Sequence, residues 1–177
     1  MKLQFEGFEI SPIHEGDAWK ICDFVISNSD RLKQYLPKTL EQNLNPTLSQ
    51  LYVENRIKAF QNKETFVFTI KQSKTRQLAG LVILKNLDWK TKQAEFAYAI
   101  DYNFKGQKII SKAVEKVSRY AYNEFGLKTF QIITHKDNIS SVKVATNNNF
   151  IWQKTLTKIF TPNGEQPLDM ELYELYK

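Results

Sequence analysis

Two strand-to-helix junctions hold the residues whose types and spacing could do chemistry. The first runs Ile100-Asp101-Tyr102-Asn103-Phe104-Lys105-Gly106-Gln107-Lys108-Ile109-Ile110, from an apolar strand through a polar turn into a long helix. A helix start leaves backbone N–H groups unpaired and carries partial positive charge, so it suits a phosphate. Gly106 lets the backbone bend or approach a ligand, and Lys105 and Lys108 add charge. A plain helix start with solvated lysines would read the same way. The second junction is Thr134-His135-Lys136-Asp137-Asn138-Ile139-Ser140-Ser141. Asn138 is a good N-cap and places Ser141 in the first turn; alone, this is a capped helix and nothing more. If the two preceding strands lie side by side, both helix starts point to one sheet edge, where open α/β sheets bind ligands. Together the junctions favour a phosphate-bearing ligand more than either does alone.

The elements that must position these residues follow from periodicity. Phe8 to Ile13 reads as a strand, and Asp17 to Ile26 as a helix with Ala18, Ile21, Cys22 and Val25 inward. A helix from about Thr47 to Gln61, started by Pro46, puts Leu48, Leu51, Tyr52, Ile57 and Phe60 mostly on one face. Three strands follow at 65–70, 77–84 and 93–100. The last has Glu95, Ala97 and Ala99 on one face and Phe96, Tyr98 and Ile100 on the other. A long helix to Phe125 buries Ile109, Ile110, Ala113, Val114, Val117 and Ala121, and stops at Gly126. Then come a strand at 128–134, a helix at 138–148 with Ile139, Val142 and Ala145 inward, and strands at 151–160 and 169–176 joined by Pro162-Asn163-Gly164. This order predicts an α/β or α+β domain around one central sheet.

The composition is that of an ordinary globular chain: 177 residues, 42% hydrophobic and 25% charged, which suits one domain over 1–177. Cys22 is the only cysteine and sits in an apolar stretch, so an intrachain disulfide is excluded and a buried structural thiol is expected. His14 and His135 are far apart in sequence, with no Cys/His cluster, so no metal is expected. The N-terminus lacks a signal-peptide core and no apolar run approaches a membrane span, so a cytoplasmic location without membrane partners is expected. The net charge of +6 would suit nucleic acid, an acidic protein or a phosphorylated ligand. The basic residues are scattered, which disfavours a dedicated nucleic-acid surface.

The stretches Ala94-Glu95-Phe96-Ala97-Tyr98-Ala99-Ile100, Tyr102-Asn103-Phe104-Lys105-Gly106-Gln107-Lys108, Asn138-Ile139-Ser140-Ser141-Val142-Lys143-Val144-Ala145 and Asn149-Phe150, in this order of elements, resemble the GNAT superfamily of N-acetyltransferases. Within it the likeness is to the ribosomal-protein N-terminal (alanine/serine) acetyltransferases, over nearly the whole chain. Leu78-Ala79-Gly80 resembles the family's Leu-Ile-Gly strand. The resemblance implies a GNAT-like, mixed but mostly antiparallel sheet of about seven strands flanked by helices, with a splay between strands 94–100 and 128–134. It implies acetyl-CoA as co-substrate: pantetheine on the backbone of Tyr98, Ala99 and Ile100, pyrophosphate on the turn of Lys105, Gly106, Gln107, Lys108, Ile109 and Ile110, and Asn138 and Ser141 beside the pantetheine arm and thiol. Where relatives read Arg/Gln-x-x-Gly-x-Gly/Ala, Lys108 stands for a glycine and Ile110 for a small residue.

For amide formation, Glu95 is the candidate base acting through water and Ser141 the candidate proton donor to the leaving thiolate. An α-amine, with a pKa of about 7.7–8.0, needs only a weak base. The expected acceptor is a primary amine, foremost a protein N-terminus. A polyamine or amine-bearing drug and a non-catalytic acyl-CoA-binding module are the alternatives, and the expected state is a monomer or homodimer.

Overall fold

A computed structural model describes residues 1–162 and 164–177; Asn163, in the turn expected at 162–164, lies outside them. The chain falls into two compact units, residues 1–84 with 98–110 and residues 85–97 with 111–177. Its strands form one eight-stranded sheet in the order β1-β2-β3-β4-β5-β6-β8-β7.

In the first unit, β1 (Leu3–Phe5) and β2 (Phe8–Pro12) form a hairpin, and β2 pairs antiparallel with β3 (Phe66–Gln72). β3 pairs in turn with β4 (Leu78–Asp88). β1 is the strand the periodicity reading lacks, and it raises the count from about seven to eight. Its signal was the turn: Glu6 and Gly7 have φ of 40° and 83°, the left-handed pair that a two-residue hairpin requires. Between β2 and β3 lie α1 (Ala18–Ser27), α2 (Ser29–Tyr35), α3 (Pro37–Glu41) and α4 (Pro46–Gln61).

α4 starts as expected. Pro46 occupies the first turn, and the Asn45 side chain accepts from the Leu48 amide at 2.9 Å. Its buried face differs from the expected one: Leu51 is 51% exposed, and burial falls on Ser49, Tyr52, Val53 and Ala59. That stripe has helical spacing and admits a serine because Ser49 donates to the Asn43 side chain at 2.8 Å. The core of the unit comprises Ile10, Ile21, Val25, Phe66, Phe68 and Ile70, all fully buried.

In the second unit, β6 (Thr129–Thr134) pairs antiparallel with β8 (Leu168–Tyr176), which pairs with β7 (Ile151–Phe160). β5 (Gln93–Ile100) pairs with β6 in parallel from Gln93↔Thr129 to Phe96↔Ile132. α5 (Ile109–Phe125) buries all six positions of its expected stripe, and Gly126 ends it at φ 68°. α6 (Ile139–Asn147) buries Ser141 and Ala145, whereas Ile139, expected inward, is 57% exposed. Ile139 opens the helix, one residue after the cap, and lies outside the stripe set by Ser141 and Ala145.

Candidate acyl-CoA site

In the first unit, β4 and the end of β5 approach closely. A Cβ at Gly80 would lie 2.6 Å from the Ala99 carbonyl oxygen, so only glycine fits there. This is the physical content of the Leu78-Ala79-Gly80 motif. At the strand end the Asp101 amide donates to the Ala79 carbonyl at 2.7 Å. A short 3-10 turn follows at Tyr102–Phe104, capped by the Asp101 carboxylate, which accepts from the Asn103 amide at 2.9 Å.

The turn into α5 bends at Gly106, φ 81°, and again at Lys108, φ 58°. Lys108 therefore precedes the helix, which begins at Ile109. It adopts the left-handed conformation for which glycine is the natural residue. Lys105, Gly106, Gln107 and Lys108 are exposed, whereas Ile109 and Ile110 are buried. The bulk of Ile110 thus goes into the core and not toward a ligand on the turn. The first amides of α5 have no partner within the helix by its geometry, so two left-handed residues and two lysines lead into a helix start of the kind that holds phosphate.

In the second unit, Asn138 caps α6, its side chain accepting from the Ser141 amide at 3.3 Å. Ser141 is buried at 8% exposure in the first turn. Asn149 has φ 60°, a left-handed conformation that asparagine tolerates next best to glycine, and Phe150 after it is buried. The Glu95 carboxylate is engaged on both oxygens: Oε1 lies 3.0 Å from Lys85 Nζ, and Oε2 accepts from Asn86 at 2.7 Å. Each oxygen keeps a second lone pair with which a water can bond.

Tyr98, Ala99, Ile100 and the turn of Lys105 to Ile110 thus belong to one unit, and Glu95, Asn138 and Ser141 to the other. Sequence reasoning missed Asn28 and Arg31, which bond to Asp101, Tyr102 and Ile100 from about 70 residues away. An open cleft of about 420 Å³ lies among α1, the β3–β4 turn and Asp101, bordered by Trp19, Lys20 and Arg76; it holds none of the expected cofactor residues. Among the described residues no cluster of His, Cys, Asp or Glu is arranged to hold a metal, and no helix is long and apolar enough to cross a membrane.

YdaF of Bacillus subtilis (strain 168), a candidate ribosomal N-acetyltransferase, is 26% identical over 174 residues, covering 97% of this chain and 92% of that protein. The crystal structure of ribosomal-protein-S5-alanine acetyltransferase from Vibrio fischeri superposes with a TM-score of 0.92 at 19% identity, over 99% of this chain and 96% of that one. RimL, a ribosomal L7/L12 α-N-protein acetyltransferase solved in complex with coenzyme A, superposes with a TM-score of 0.91 at 20% identity, over 99% of this chain and 98% of that one. At such identities these two likenesses are of fold. The model of the acetyltransferase (GNAT) domain matches residues 8–151, and the chain belongs to that family of acetyltransferases.

Proposed function

We propose that this acetyltransferase moves the acetyl group of acetyl-CoA to the α-amine of a protein N-terminus, with ribosomal proteins as the acceptor class. The observation that carries the cofactor half is the turn into α5, where Gly106 and Lys108 are both left-handed ahead of a helix start flanked by lysines. A net charge of +6 suits a ligand with several phosphates. The acceptor half rests on the activities named for the relatives.

In this reading the amides of Lys105 to Ile110 hold the pyrophosphate and Lys108 adds an ammonium contact. The backbone at Tyr98, Ala99 and Ile100 pairs with the pantetheine amides and polarises the thioester carbonyl. Asn138 fixes the start of α6, and Ser141 donates a proton to the leaving thiolate. Glu95 draws the amine proton through water. Because an α-amine is only about one pKa unit from neutral pH, removing that proton costs about 1.4 kcal/mol. Positioning then supplies most of the rate.

A non-catalytic acyl-CoA-binding module is the second reading, favoured by the atypical pyrophosphate turn, where Lys108 stands for a glycine. Thermal unfolding with and without acetyl-CoA tests the binding they share. A ligand at 100 times its Kd stabilises by about 2.7 kcal/mol, so the melting temperature should rise. No shift at millimolar acetyl-CoA would overturn the proposal. Turnover with a panel of amines then separates enzyme from module.

A further inference from the structure

The peptide between Ile100 and Asp101 is held from both sides. Its N–H, on Asp101, donates to the Ala79 carbonyl on β4 at 2.7 Å. N–H and C=O of one peptide point in opposite directions in an extended strand, so the Ile100 carbonyl points away from β4. Arg31, from α2, meets it there: its Nη1 donates to the Ile100 carbonyl at 2.9 Å.

The next residues are held by Asn28, buried at the C-terminal end of α1. Its Nδ2 donates to Asp101 Oδ2 at 2.9 Å and to the Phe24 carbonyl at 2.8 Å, while its Oδ1 accepts from the Tyr102 amide at 3.0 Å. Both donors and the acceptor of one amide are used. Turning the amide over would set a carbonyl against a carboxylate, so chemistry fixes its orientation. Asp101, itself buried, spends its other oxygen on the Asn103 amide. Five hydrogen bonds thus fix the backbone from Ile100 to Asn103, three of them made by two residues of the α1–α2 corner. This is far more than a surface turn needs, and it lies immediately before the exposed turn at Lys105 to Lys108.

We infer that Asn28 and Arg31 are positioning residues that preset the end of β5 and the turn into α5 for acyl-CoA. The inference rests on the acetyl-CoA reading and deepens it. Neither residue need touch the ligand. Without them the strand end and turn would have to be ordered by the ligand at the moment of binding, and affinity would fall by that cost.

Steady-state kinetics and direct acetyl-CoA binding of wild type, Asn28→Ala, Arg31→Ala and Arg31→Lys test this, below the melting temperature of each. Asn43→Ala is the control, since Asn43 is equally buried and bonded to Thr39 and Ser49 in the same unit. Asn28→Ala and Arg31→Ala should raise KM and Kd for acetyl-CoA roughly tenfold, with the KM for the amine unchanged. Arg31→Lys, which keeps a donor for the carbonyl, should restore most of the loss. The Kd of Arg31→Ala should depend on salt as steeply as that of wild type. A shallower slope would mean that the guanidinium touches the ligand's phosphates, and would overturn the positioning role. So would variants that bind as wild type does, or an equal loss in Asn43→Ala. Wild-type protein that fails to bind acetyl-CoA would instead overturn the functional reading, and this inference with it.

Discussion

Lys108 joins two effects that a pair of substitutions can separate. Its left-handed backbone, φ 58°, costs a residue with a Cβ about 1–2 kcal/mol, which glycine avoids. Lys108→Gly should therefore stabilise the free protein by about 1 kcal/mol, read as a higher denaturation midpoint, whereas Lys108→Ala keeps the strain. If the ammonium contacts a phosphate, both variants should bind acetyl-CoA more weakly and with a shallower salt dependence. Tighter binding in both would make the lysine an obstruction. Ser141→Ala tests the proton donor: kcat should fall while the Kd for acetyl-CoA stays near that of wild type, and an unchanged kcat would remove Ser141 from the mechanism. Which site residues were legible follows from reach. The Asn138 cap acts on Ser141, three residues away, and sequence spacing reveals it. The partners of Asp101 and Ile100 are Asn28 and Arg31, and nothing local announces an amide about 70 residues distant.

At the scale of elements, legibility tracks length and local chemistry. α5 has 17 residues and a full apolar stripe, so its extent and buried face could be read directly. α2 and α3 have 7 and 5 residues, too few for a period to emerge, and owe their existence to tertiary packing. β1 has 3 residues and exists by pairing with β2. The meeting of β4 with β5 is legible only as a glycine in a strand, whose meaning comes from the Ala99 carbonyl against it. Gly80→Ala would force that backbone apart, costing about 1–3 kcal/mol as overpacking does. Because the displaced residues are Ala99 and Ile100, the KM for acetyl-CoA should rise as well. Unchanged stability in the Gly80→Ala variant would show that β4 yields without cost. Asn138→Ala should lower stability by about 0.5–2 kcal/mol through the lost cap of α6.

At the scale of the molecule, a buried ionic cluster ties the segment before α1 to β3. Lys71 and Asp17, both at 0% exposure, pair at 2.6 Å. The Lys71 ammonium also meets His14 Nε2 at 3.1 Å, and the same nitrogen lies 3.3 Å from Asp17 Oδ1. Burial, first, holds the His14 imidazole below its ordinary 6.5; Asp17 pulls it up, and Lys71, Lys20 and Arg76 push it down. The unfolded chain therefore takes up this proton before the folded one. The stability that His14 contributes is present above pH 6.5 and lost as the pH falls from 6.5 through the folded value. Melting curves between about pH 7.5 and 5.5 should show this loss, and His14→Gln should flatten it; an equal slope in the variant would place the titration elsewhere. Family membership was legible because motif order survives where identity is low, and the acetyltransferase model spans residues of both units. The cluster was not, since Lys71 lies in a strand whose other residues read as core.

The most direct test of the whole account is transfer itself. Purified protein is incubated with isotopically labelled acetyl-CoA and two peptides, one with a free α-amine and one blocked at the N-terminus but carrying lysine, and the products are sequenced by mass spectrometry. The account predicts label on the α-amine of the first peptide and little on the lysine of the second, whose amine is held protonated by a pKa near 10.4. Acetyl-CoA that binds but leaves both peptides unlabelled, or labels lysine and small amines instead, would contradict it.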